Sequence, residues 1–120
     1  MDIKSLYTLE SHEKGAEMCV KDQFGKETDM YITIAGIDSK AWRNAYNDAQ
    51  RKCIETADAD STTIMAFAFA AASIDWRGFN DKGKKLKFTQ EKAEELYLCA
   101  PYIATQVDNF ISTRINFMKI

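Results

Sequence analysis

Histidine is almost missing from this chain: His12 is the single one in 120 residues. One imidazole leaves no second histidine to complete a metal site and no base for a Ser-His or Cys-His pair. Its polar surroundings place it in solvent. The three cysteines, Cys19, Cys53 and Cys99, are odd in number and widely spaced. That excludes a disulfide framework and a zinc-type pair, and they read as buried thiols in a reducing cytosol. Long hydrophobic runs are also lacking. The longest, Ile64 to Ala72, is far below the roughly 18 residues that span a bilayer. Met1 to Glu10 carries Asp2, Lys4 and Glu10 and has no apolar core of a signal peptide. Charge of one sign is missing too: 16 basic and 18 acidic residues give a net charge of -2, so no long-range positive field holds a nucleic acid. Glycine is sparse, and Gly78 and Gly83 lack the strand-turn-helix context of a phosphate-binding loop. These absences predict a soluble cytosolic protein with no cofactor, no metal, no membrane and no nucleic acid as main partner.

What is present is an ordinary globular composition, 46% hydrophobic and 28% charged, in a length that suits one domain. Residues 1–14 are polar and weakly periodic, and read as a flexible or loosely docked arm; 15–120 then form one domain. Ala16, Met18 and Val20 alternate with polar or small residues, as do Met30, Ile32 and Ile34 across the Gly25-containing turn. Period-two alternation on both sides of a turn predicts a β-hairpin. Asp38 or Ser39 can cap a helix whose stripe is Trp42, Tyr46, Ala49, Cys53 and Ala57. After a polar break at Asp58 to Thr63, a helix over about Ser61 to Asp75 is apolar all round. It belongs either in the domain centre or at an assembly contact. Trp76 to Gly83 reads as a loop. Thr89 caps a helix to about Cys99, with Ala93, Leu96 and Tyr97 on one face. Pro101 opens the last helix, through Ile103, Val107, Phe110, Ile111 and Phe117. The fold class is therefore mainly α: about four helices with a small N-terminal β-hairpin.

The search for chemistry finds little. Asp58 and Asp60 flank one helix start, and Glu91, Glu94 and Glu95 lie near another. Carboxylates there read as caps and solvated faces favoured by the helix dipole, and nothing brings two of them together as acid and base. The chain is read as a non-enzyme. Lys82, Lys84, Lys85 and Lys87 form the one basic cluster, around Leu86 and beside Phe88. It is open to three readings: a solvated loop, a nucleic-acid patch or the charged rim of a protein contact. Aromatics crowd the last third, where core packing competes with a role as interface anchors.

The run Asp75-Trp76-Arg77-Gly78-Phe79-Asn80-Asp81-Lys82-Gly83, then Leu86-Lys87-Phe88-Thr89, Pro101-Tyr102-Ile103, Gln106-Val107, Phe110-Ile111, Arg114 and Asn116-Phe117 resembles phage tail assembly chaperones. The hairpin-like opening and Ala35-Gly36-Ile37-Asp38-Ser39 before a helix with Trp42 are similar as well, so the likeness covers roughly residues 20–117. It lies in the order and spacing of the motifs. The resemblance implies a binding protein that coats the tape measure protein of a long non-contractile tail, keeps it soluble and helps bring in the major tail protein. A longer frameshifted product, of which this chain would be the short form, is what the resemblance implies as a route to the major tail protein. It implies action in the host cytoplasm and absence from the mature virion, with weak self-association. Trp76, Phe79, Tyr97, Phe110 and Phe117 are the protein-interaction candidates. A tail completion or head-tail connector protein is the alternative, with a small helical nucleic-acid-binding regulator behind it.

Overall fold

The computed structural model describes residues 2–56 and 60–118. Met1, Ala57 of the apolar stripe, Asp58 of the acidic pair, Ala59 and Lys119-Ile120 lie outside the described residues. The chain runs through a 3-10 turn (Ile3–Leu6), α1 (Leu9–Lys14), β1 (Ala16–Lys21), β2 (Glu27–Ile34), α2 (Lys40–Glu55) and α3 (Ser61–Ala72). It continues through β3 (Ser73–Arg77), β4 (Asn80–Asp81), β5 (Lys84–Lys85), α4 (Gln90–Cys99), α5 (Pro101–Ser112) and a second 3-10 turn (Arg114–Phe117).

The hairpin forms where alternation places it. β1 and β2 are antiparallel, with Ala16 opposite Ile34 and Met18 opposite Ile32. The Asp22 carboxylate tightens the turn by accepting from the amides of Phe24 at 2.9 Å and Lys26 at 3.0 Å. The sheet is larger than a hairpin, however. β3 adds to the far side of β2, giving the order β1-β2-β3. The apolar-all-round helix stops at Ala72, and Ser73 to Arg77, read as helix end and loop, is strand. Its pattern hides it. The register moves between Thr33–Asp75 and Ile34–Ser73, so Ile74 has no partner and bulges out. One extra residue breaks the period of two, and Ser73 and Trp76, three apart, both face the core.

The helix count is also corrected: five α-helices among the described residues, not about four. The additional one is α1, in the segment read as an arm. Helix starts follow the expected chemistry. Ser39 Oγ accepts from the Trp42 amide at 2.9 Å, Asp60 from the Thr62 amide at 3.0 Å and Thr89 from the Lys92 amide at 3.1 Å. Pro101 sits in the first turn of α5.

α3 lies at the centre, with α2, α4 and α5 packed around it. Its alanines at 66, 68, 70 and 72 are buried and let those neighbours approach closely. Within the chain the helix takes the central position, and Ile64, Met65, Phe67 and Ala71 remain half-buried. Phe69 projects from it to stack on Trp42 at 5.6 Å and to meet Tyr97 edge-on at 6.3 Å. Met18, Val20, Ile32, Ile34 and Trp76 from the sheet join Ile103, Val107 and Ile111 of α5 in the same core.

Candidate functional site

The five aromatic candidates do not form one surface. Trp76 and Phe79 are each 7% exposed, Tyr97 is 1% and Phe117 is 4%. Side chains so enclosed cannot anchor a partner without opening the domain, so for these four the interface expectation gives way to core packing. Trp76 stacks on Phe79 at 4.4 Å and takes the edge of Phe88 at 5.2 Å. Tyr97 meets Ser73: their hydroxyls are 2.8 Å apart, and Ser73 also donates to the Phe69 carbonyl at 2.7 Å. Burial pushes the Tyr97 phenol up to about 12, against the lowering effect of the Ser73 hydrogen bond.

Phe110 is different. It is half-buried and lines a groove of about 440 Å³ between β1 and α5. Met18 and Phe110 contribute apolar surface, and Gln106, Asn109, Thr113 and Asn116 provide a rim of amides and a hydroxyl. Gln106 fixes the groove's geometry. Its Oε1 accepts from the Lys21 amide and its Nε2 donates to the Lys21 carbonyl, both at 2.8 Å. The side chain thus pairs with the outer edge of β1 as a neighbouring strand would. Asn116 holds the other end by donating to the Phe110 carbonyl at 3.0 Å. Amides that can both donate and accept, beside an apolar floor, suit a polypeptide ligand.

The second feature was invisible in the sequence. His12, expected in solvent, is fully buried. Its ring stacks on Phe117 at 4.9 Å. Its Nδ1 accepts from the Asp38 amide at 3.2 Å, which leaves the proton on Nε2. Nε2 has no hydrogen-bond partner, and Asp38 Oδ2 stands 3.5 Å away. Asp38 itself is held by Arg114, through Nε at 2.7 Å and Nη2 at 3.0 Å. Those hydrogen bonds hold its carboxyl below its ordinary range, and partial burial opposes them. Glu13 accepts from the Lys40 amide at the start of α2. Leu9–Lys14 is therefore docked helix and not loose arm, and the two ends of the chain meet at Gly36 to Ser39. No alternating or helical period betrays such a contact, because each partner comes from a different part of the chain.

Exposed apolar side chains complete the picture. Ile3, Leu6, Tyr7 and Leu9 all lie outward before His12, and Ile115 and Met118 do so near the other end. None of them was a sequence candidate. The cysteine expectation holds for Cys53, which is buried; Cys19 is half-buried and Cys99 exposed, and no disulfide joins the three. Among the described residues no group of three or more His, Cys, Asp or Glu side chains could hold a metal ion, and no helix is long and apolar enough to cross a membrane.

These elements define a mainly helical domain with a small antiparallel sheet, whose candidate site is a groove for contact. No family model, curated protein or solved structure matches the chain.

Proposed function

We propose that this protein is a tail assembly chaperone of a long-tailed phage. It binds the tape measure protein in the host cytoplasm, keeps that rod soluble, helps recruit the major tail protein and is left out of the finished particle. It works by contact and without catalysis. The observation that carries this reading is the ordered run of motifs from Asp75-Trp76 to Asn116-Phe117, similar in order and spacing to such chaperones.

Two surfaces support it. The β1–α5 groove offers Phe110 and a rim of amides, and residues 3–9 present Ile3, Leu6, Tyr7 and Leu9 to solvent. Coating a long helical partner calls for apolar contacts of this kind, each weak and repeated along the rod. The interface candidates on this reading are Phe110 and the exposed N-terminal apolar set.

The test is co-expression with the tape measure protein from the same genome. The partner should move from pellet to supernatant when this chain is present, and Phe110→Glu should reduce the effect. Equal pelleting with and without the chain removes the proposal's support. Mass spectrometry of purified particles should find the tape measure protein and not this chain; its presence there would favour a tail completion or connector protein instead.

A further inference from the structure

The β4–β5 hairpin has no role in the reading above. We infer that it is a docking finger for an acidic stretch of another polypeptide, a surface separate from the β1–α5 groove. Lys82, Lys84, Lys85 and Lys87 are all exposed. Among the described residues, the ion pairs and cation–π contacts involve other cations. Residues 80–88 carry four lysines against one aspartate, +3, on a chain whose total is -2, which leaves -5 for the rest. The charge is segregated onto one projecting element.

That element is built stiff. Asn80 pairs with Lys85 and Asp81 with Lys84 across a two-residue turn. Lys82 at φ 53° and Gly83 at φ 79° both take the left-handed conformation, the tight reversal whose twist matches paired strands. Lys82 is the sole non-glycine residue with positive φ among those described. Asparagine or glycine holds that conformation more easily, so a lysine there puts charge at the tip at a conformational cost. The base is anchored by a hydrogen bond from Trp76 Nε1 to the Leu86 carbonyl at 3.0 Å and by one from the Leu86 amide to the Phe79 carbonyl at 2.9 Å. Trp76 and Phe79, stacked on each other, lie beneath with Phe88 edge-on to the indole.

The chemistry favours an acidic peptide over a nucleic acid. The finger has no arginine for bidentate base contacts, and its aromatics are the base of the hairpin, with Trp76 and Phe79 buried and unable to stack bases. Asp81 lines the adjoining cleft of about 260 Å³ together with Glu95 and Lys92, which pair at 3.8 Å, so the cleft offers no excess positive charge to carry a phosphate chain onward. Leu86 and Leu96, both half-buried at the cleft, accept an apolar side chain from the same segment. The partner segment is thus acidic residues around one large apolar residue.

The experiment titrates full-length protein into a labelled glutamate-rich peptide with a central leucine, and separately into a single-stranded oligonucleotide of the same charge. Peptide binding should weaken severalfold as salt is raised to physiological strength. It should be lost when Lys82, Lys84, Lys85 and Lys87 are all changed to Glu, fall when they are changed to Gln, and persist when they are changed to Arg. Reversal of Lys26 and Lys40, exposed elsewhere, should leave it intact, which separates the finger from net charge. Lack of binding by the native chain, binding retained by both the Glu and Gln variants, or tighter binding of the oligonucleotide would each overturn the inference.

Discussion

Two aromatic clusters in the last third of the chain look alike in composition and work differently. Under the basic hairpin, Trp76, Phe79 and Phe88 close a segment of thirteen residues upon itself. Near the chain ends, Phe117 stacks on His12, about a hundred residues earlier in the sequence, and meets Phe110 edge-on. The first cluster draws its three rings from one local segment. The second exists only when α1, the loop before α2 and the last turn are already in place. Local closure stiffens a surface element, and long-range closure ties the ends of the domain together.

The contrast can be broken from either side. Trp76→Ala should have the largest effect, because it removes a buried indole from both the sheet and the hairpin base. A loss of about 3–5 kcal/mol in urea unfolding is expected, with lost peptide binding at the finger. Gly36→Ala should come next. A methyl there would stand 2.0 Å from His12 Nδ1, so the ring must move. Overpacking of this kind costs about 1–3 kcal/mol. Hydrogen exchange should rise in α1 and the last turn while residues 73–88 stay protected; a uniform rise would show that the two closures are not separable.

Tyr97→Phe tests the polar link that lies between them. Removing the hydroxyl should cost about 1 kcal/mol, since Ser73 keeps its bond to Phe69. The native protein should also lose stability as pH rises from 10 towards about 12, because the unfolded phenol ionises first while the buried one keeps its proton. In the Phe variant that component of the decline should vanish. Asp38→Asn should have the smallest effect, as the Asp38–Arg114 pair is partly solvated. The lowered Asp38 pKa means its contribution is present above the ordinary carboxylate value and fades as pH falls through the folded value. A native acid-unfolding curve that overlays that of Asp38→Asn would show that the pair adds nothing to the closure around His12.

The residues that carry the chaperone resemblance turn out to have work in the fold. Gln106 grips Lys21, Arg114 holds Asp38, Asn116 bonds the Phe110 carbonyl, and Phe117 covers His12. An ordered motif can therefore record a shared architecture as much as a shared binding face, and the candidate anchors picked from it were mostly core. Of the five, Phe110 alone stays half-buried, and the proposed contacts add Ile3, Leu6, Tyr7 and Leu9, whose exposure no local pattern revealed.

Local chemistry determined the hairpin, the narrowing of the α2 cap to Asp38 or Ser39, the caps at Asp60 and Thr89 and the start of α5 at Pro101. Each depends on neighbours within a few residues, so period and cap chemistry are enough to expose it. Only the tertiary structure decided that Ser73 to Arg77 is a third strand, because the bulge at Ile74 erases its alternation. It alone decided that His12 is interior, because an imidazole becomes a core residue only when Gly36, Asp38 and Phe117 arrive from distant segments to enclose it.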